Sequence, residues 1–245
     1  MSDIAGRWAV VTGAARRVGR AIALELGRRG AKVLVHYRGS ASDADGLVRQ
    51  LATIGCEARA ACADLADATA VQALATEVLA REGTPAVLVN SASNYLRTAF
   101  DTLDERVWDL AVDVNLKAPY LLSIAFGRAM REQGGGSIVN IVDWAAERPY
   151  RDYLPYCVSK AGLVCLTKAL ARELAPTVRV NAVAPGPVLL PDDFTTREVE
   201  AVVRATPLGR IGTPEDVARC VAFLAADAAF TTGAVFHVDG GRAIA

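Results

Sequence analysis

Histidine is nearly absent from this chain. With only His36 and His237 among 245 residues, a histidine-built zinc centre or a Ser-His-Asp triad has almost nothing to be made from. No Cys-x-x-Cys pair occurs, and the five cysteines (Cys56, Cys62, Cys157, Cys165 and Cys220) are odd in number. They read as buried or free thiols in a reducing cytoplasm, so neither a disulfide framework nor a bound metal is expected. An excess of either charge is also missing, because 27 Lys and Arg face 27 Asp and Glu. That balance argues against nucleic acid as a partner. No apolar run approaches the roughly 18 residues needed to cross a bilayer, which argues against a membrane partner. The first strand follows closely on Met1, so no signal peptide is expected.

What the chain does hold is a series of short apolar strands alternating with amphipathic helices, unbroken by repeats or low-complexity linkers. Trp8-Ala9-Val10-Val11 reads as a buried strand, and Ala21 to Leu26 carries apolar residues at helical spacing. Between them lies a glycine turn, Thr12-Gly13-Ala14-Ala15-Arg16-Arg17-Val18-Gly19. A strand, a glycine turn and a helix start together offer backbone N–H groups and a positive helix end to a pyrophosphate. Lys32 to Tyr37 completes a βαβ unit. Further strands are expected over 58–63, 87–90, 137–142, 178–183 and 235–238, and such near-continuous apolar strands fit a parallel sheet covered on both faces. Gly134-Gly135-Gly136 ends the long helix before the fifth strand. The expected fold class is α/β: one doubly wound Rossmann-type domain over residues 1–245, with a parallel sheet of about seven strands.

A second feature lies further along, in Tyr156-Cys157-Val158-Ser159-Lys160. This spacing puts a phenol and an ammonium on one face of a helix, one turn apart. A neighbouring cation favours phenolate, so Lys160 is expected to bring Tyr156 below the usual value of about 10 and make it a general acid or base. Standing alone, the pair is also what an ordinary exposed helix surface offers.

Together, the glycine turn and this pair resemble the short-chain dehydrogenase/reductase family, over essentially the whole chain. The matching residues are Thr12, Gly13 and Gly19 in the turn, Asp64-Leu65 at the adenine, and Asn90-Ser91-Ala92-Ser93 after the fourth strand. Asn115 matches the asparagine of a proton relay, Tyr156 and Lys160 the catalytic pair, and Pro185-Gly186 the turn near the nicotinamide. The resemblance also implies a homo-oligomer, a tetramer.

The end of the second strand reads His36-Tyr37-Arg38-Gly39-Ser40, with no acid before Asp43. A carboxylate there would grip a ribose 2′-hydroxyl and repel a 2′-phosphate, whereas Arg38 can hold that phosphate through a charge-assisted fork. Arg16 and Arg17 add two cations. NADP(H) is therefore the expected cofactor. Its expected contacts are the turn residues Gly13, Arg16, Arg17, Val18 and Gly19, and the strand-end residues His36, Tyr37, Arg38 and Ser40. Asp64, Leu65, Ser91, Ala92 and Ser93 join them, with Tyr156, Lys160, Pro185, Gly186 and Val188.

Three positions depart from the family pattern. Arg17 stands where the turn normally has a glycine, Ser91 replaces an asparagine, and Asp143 occupies the place of the catalytic serine thirteen residues before Tyr156. A serine would donate to a carbonyl oxygen, but an ionised aspartate only accepts and would repel a developing alkoxide. A substrate presenting N–H groups, or a ring nitrogen that needs a proton, suits it better. The glycine turn with Arg17, Asp143 thirteen before Tyr156, the stretch 36–41 and Asp192-Asp193 after the Pro185-Gly186 turn are similar to the pteridine reductase subgroup. In that resemblance Tyr95 stacks on the pterin, and Arg17, Ser93, Tyr95, Asp143 and Tyr156 contact the substrate.

The implied function is NADPH-dependent C=N reduction of an oxidised pterin, of the dihydropteridine or dihydrofolate type. Tyr156, Lys160, Asn115 and Asp143 are its catalytic residues. The alternatives are a carbonyl reductase acting on ketoacyl or small ketone substrates and, from another class, a non-catalytic NADP(H)-sensing protein.

Overall fold

The computed structural model of the protein describes residues 4–190 and 194–245. Seven strands form one sheet: β1 (Trp8–Val11), β2 (Lys32–Tyr37), β3 (Ala58–Cys62), β4 (Val87–Asn90), β5 (Gly136–Ile141), β6 (Val178–Pro185) and β7 (Val235–Val238). All are parallel, in the order β3-β2-β1-β4-β5-β6-β7.

Strand side chains alternate between faces, and here both faces are apolar. Val11, Val35 and Val89 point into one layer, with Ile22 and Leu26 of α1 (Arg17–Arg28) and Leu47 and Leu51 of α2 (Ala41–Thr53). Val217, Val221 and Leu224 of α8 (Pro214–Ala226) complete that layer. One residue earlier, Val10, Leu34 and Leu88 point the other way. They meet Leu74 and Val78 of α3 (Ala68–Arg81), Leu122, Phe126 and Met130 of α5 (Ala118–Glu132), and Leu170 of α6 (Leu154–Glu173). Burial on both sides is why the strands read as continuous apolar runs.

The helix starts are written locally. Thr213 and Asp216 form a capping box ahead of α8, with Pro214 in its first turn, and Thr195 and Glu198 do the same for α7 (Thr196–Arg204). Asp104 caps α4 (Glu105–Val112), which runs through a π-helical turn, Asp113–Lys117, into α5.

Strand limits differ slightly from expectation. β5 begins at Gly136 because Gly134, at φ +87°, already makes the helix stop. β3 ends one residue early, at Cys62, and β6 continues to Pro185, which pairs with Val238 and carries Gly186 to the sheet's carboxyl edge.

From β1 the chain fills the sheet first toward β3 and then toward β7. The order therefore reverses between β1 and β4, where a crevice opens at the carboxyl ends. Among the described residues no helix is long and apolar enough to cross a membrane, and no group of three or more His, Cys, Asp or Glu could hold a metal ion. Asp192 and Asp193 lie outside the described residues.

Candidate active site

A cavity of about 1120 Å³ runs along the carboxyl edge of the sheet, from the glycine turn to the segments after β6 and β7. Pockets for one drug-sized ligand typically occupy about 300–1,000 Å³, so this one has room for a dinucleotide and a second small molecule.

At the β1 end the wall is backbone. Gly13 adopts φ +63°, and a Cβ there would meet the Ala92 Cα at 2.8 Å; a Cβ on Gly19 would overlap the Gly13 carbonyl. Thr12 fastens the two sides of the crevice: its Oγ1 accepts from the Ser91 and Ala92 N–H groups at 2.9 and 3.0 Å and donates to the Val89 carbonyl at 3.3 Å. Arg17 opens α1 at φ +54°, the left-handed region, which explains why a glycine suits this place. Backbone N–H groups, the α1 N-terminus and the close approach of Gly13 to Ala92 make a cradle that fits a pyrophosphate.

Two of the expected cofactor contacts line the cavity and also have partners within the chain. His36 lies beneath the turn, 2% exposed. Its Nδ1 accepts the Gly13 N–H at 3.1 Å, and Nε2 donates to the Ala63 carbonyl at 3.1 Å. Burial pulls its pKa down to about 4, so it is a neutral strap holding the turn. Arg16 pairs with Asp43 at 2.5 Å on the first turn of α2, so its charge is already engaged. Arg17 and Arg38 pair with no carboxylate among the described residues, and both line the cavity. Val18, Tyr37, Ser40, Asp64, Leu65, Ser91, Ala92, Ser93, Pro185, Gly186 and Val188 line it too, as the sequence leads one to expect.

The other end is built from side chains. Tyr156 and Lys160 share a face of α6, with Lys160 Nζ 5.6 Å from the phenol ring centroid. Lys160 is buried, donates to the Ile141 carbonyl at 2.9 Å, and is pulled down to about 8 by desolvation, with Asp143 opposing. The expected lowering of the Tyr156 pKa by Lys160 is reversed. Burial first, then Asp143, push that phenol well above its ordinary value. Its hydroxyl donates to Asp143 Oδ2 at 2.6 Å. In this setting Tyr156 keeps its proton until an acceptor develops charge, which suits a donor better than a base.

Asp143 is more heavily engaged than sequence reasoning anticipates. Its Oδ1 accepts from the Ala145 N–H at 2.7 Å and from the Tyr150 hydroxyl at 2.9 Å, and Oδ2 takes Tyr156. Burial and Asp143 together raise the Tyr150 phenol as well. Tyr95 stacks on Tyr153, with centroids 4.3 Å apart and planes at 17°, and meets Tyr156 edge-on at 4.8 Å. Tyr153, not a ligand, fills one face of the ring expected to stack on substrate. Tyr150, Tyr153 and Trp144 all line the cavity and were missed as site residues. The one local signal for the two tyrosines is the repeat at 150, 153 and 156; Trp144 has none.

Asn115 does not reach the wall. It is fully buried in the π-helical turn, where Oδ1 accepts from Ser93 Oγ and the Asn94 N–H at 3.1 and 2.9 Å. Its Nδ2 donates to Asn94 Oδ1 at 3.0 Å and to Ser159 Oγ at 3.1 Å. This carboxamide is saturated by protein groups and holds the Ser93–Asn94 segment against α6.

A sequence model described as enoyl-(acyl carrier protein) reductase matches residues 13–243. The 3-oxoacyl-[acyl-carrier-protein] reductase FabG of Staphylococcus aureus is 37% identical over 237 residues, covering 95% of this chain and 96% of its own. The chain belongs to the short-chain dehydrogenase/reductase family. Among solved structures, a short-chain alcohol dehydrogenase from Sinorhizobium meliloti superposes with a TM-score of 0.94 at 32% identity, covering 100% of this chain and 99% of that one. FolM alternative dihydrofolate reductase 1 from Brucella canis, complexed with NADP, gives 0.92 at 31% identity, covering 100% and 97%. The family is thus the one the glycine turn and the Tyr156–Lys160 pair imply. The relatives' names divide over substrate, and those from sequence favour carbonyl reduction over the pterin resemblance.

Proposed function

We propose that this short-chain dehydrogenase/reductase is an NADPH-dependent reductase of a C=N bond in an oxidised, pterin-like heterocycle, with Tyr156 as proton donor. The observation that carries the substrate reading is the 2.6 Å hydrogen bond from Tyr156 to Asp143 Oδ2. For Tyr156 to protonate anything else, that bond must be exchanged. A simple ketone brings no donor and would leave a carboxylate oxygen unpaired, at a cost of about 1–3 kcal/mol. A heterocycle with ring or exocyclic N–H groups gives Asp143 a new donor as it takes the Tyr156 proton.

NADP(H) is supported by the glycine cradle, by the absence of an acid at the end of β2 and by Arg17 and Arg38, which pair with no carboxylate among the described residues. When bound, it supplies the hydride. The chain's own residues do the rest. Gly13 and the α1 N-terminus take the pyrophosphate, Arg38 the 2′-phosphate, and Lys160 the nicotinamide ribose, while Ala145 and Tyr150 hold Asp143 in place.

The second reading, reduction of a 3-oxoacyl or other carbonyl group, is favoured by the names of the curated relatives at 37–38% identity. One experiment separates the two: NADPH oxidation with dihydropterins and with 3-oxoacyl thioesters, in the native protein and in Asp143→Ser. The heterocycle reading expects pterin turnover that falls at least about tenfold in the variant, with ketone turnover held or raised. If pterins are never reduced and ketone turnover depends on Asp143, the carbonyl reading replaces it. A cytoplasmic homotetramer belongs to the same proposal; exposed Phe100, Trp108, Tyr120 and Leu154 supply apolar surface for a second copy to cover, and light scattering measures the mass.

A further inference from the structure

We propose that Arg242 binds an anionic group, carboxylate or phosphate, carried on a substrate tail remote from the reduced bond. This deepens the reductase reading and rests on it. Arg242 lies in the short turn after β7, which is held in place by Asp239: its carboxylate accepts the Gly241 and Ala243 N–H groups at 2.9 and 2.7 Å. The guanidinium sits 5.5 Å from the centroid of the Trp144 ring, and one nitrogen donates to the Ala205 carbonyl at 2.5 Å, just past the end of α7. It forms no ion pair with a carboxylate among the described residues. The neighbouring Arg148, also over Trp144, is turned instead to the carbonyls of Arg242 and Ala245.

Arg242 therefore presents to the cavity an anchored fork that pairs with no carboxylate among the described residues; Trp144, Leu189, Leu190, Phe194 and Val202 also line that cavity. A planar guanidinium fixed at one nitrogen and one face is preorganised for a carboxylate or phosphate.

Sheet order sets the reach. Arg17 and Arg38 follow β1 and β2, whereas Arg242 follows β7. Four strand spacings of about 4.8 Å, roughly 19 Å, separate β1 from β7, so a phosphate held by Arg17 or Arg38 is out of range of Arg242. Asp143 follows β5, two spacings or about 10 Å from β7. An anion at Arg242 thus belongs to the molecule that meets Asp143, on a tail about one aromatic ring and a short linker long.

Two sources share this chemistry, a heterocycle with a carboxylate tail and an acyl thioester with a phosphate, and paired substrates tell them apart. Steady-state kcat/KM is measured for dihydrofolate against a dihydropterin with an uncharged side chain. The second pair is a 3-oxoacyl phosphopantetheine thioester against its uncharged N-acetylcysteamine counterpart. Arg242→Met keeps an unbranched side chain and removes the guanidinium, and its melting temperature and NADPH affinity report whether the fold survives. In at least one pair, the ratio of anionic to neutral kcat/KM is expected to drop about 10–100-fold in Arg242→Met, and to recover in part in Arg242→Lys. Unchanged ratios in both pairs overturn the proposal. If only the thioester pair is turned over, the pterin reading fails, while Arg242 is still judged on that pair.

Discussion

The two ends of the cavity are made differently. Around Gly13 and Gly19 the working groups are backbone N–H groups, and the sequence contributes mainly by leaving side chains out. Around Asp143 the working groups are a carboxylate, four phenols and a buried ammonium, in contact with one another. A backbone cradle recognises what every dinucleotide shares, so it varies little with substrate. A cluster of coupled side chains can be retuned by a single change, and on the proposed reading the serine-to-aspartate difference there changes which acceptor is tolerated. Substrate identity is therefore to be sought at the β5–β7 end, and cofactor identity at the β1–β2 end.

The sharpest way to separate the ends is Tyr156→Phe. It keeps the ring and removes the proton, so kcat should fall by about 10²–10⁴-fold while NADPH affinity, followed by fluorescence titration, changes little. Near-normal kcat would move the proton donor elsewhere. The converse is Arg38→Asp, aimed at the cradle alone. NADPH should be preferred over NADH by on the order of 10–10³-fold in the native protein, and the variant should narrow or reverse that ratio of kcat/KM. Equal ratios before and after would remove Arg38 from the phosphate site.

A pH titration probes the coupled end without mutation. Lys160 titrates at about 8 in the folded chain against 10.5 when free. As pH rises through about 8 its charge is lost, and kcat/KM should decline by about tenfold per further unit. Between those two values the unfolded chain binds the extra proton, so this group's share of stability rises with pH over the same window. Activity and this contribution to stability should therefore move in opposite directions; a flat profile to pH 10 would show that the lysine's charge is not used. The smallest effect is expected from Tyr150→Phe. Losing one of the three donors to Asp143 should cost about tenfold in kcat/KM, with the melting temperature nearly unchanged. An unaltered rate would mean that Ala145 and Tyr156 position the carboxylate without Tyr150.

The cradle was legible because its signals are local and geometric: a glycine forced by a 2.8 Å approach to Ala92 is visible as a glycine. A parallel sheet followed from strands buried on both faces, and Gly186 follows β6 at its carboxyl edge. The coupled end was legible only as an inventory. Spacing shows that Lys160 lies near Tyr156 but not how deeply both are buried, and it is burial, with Asp143, that decides the direction of the phenol's shift. The pairing of Arg16 was not legible because its partner Asp43 comes from the next helix, 27 residues on. Asn115 was placed at the right depth of the chain, but its amide is consumed by Asn94 and Ser159, which no motif announces. Arg242 reaches the cavity from the far edge of the sheet, and a loop arginine carries no mark of that.

Thr12 receives the N–H groups of Ser91 and Ala92, which lie 79 and 80 residues further along the chain. Such a contact closes a long loop, and contacts of high sequence separation are slow to form. A nascent chain that has emerged only through β3 contains every glycine of the turn, yet not the wall against which Gly13 is packed. Nucleotide affinity should thus be absent from N-terminal fragments and appear only once β4 has docked beside β1. During refolding, the recovery of NADPH fluorescence would time the assembly of the central sheet rather than the formation of the first βαβ unit.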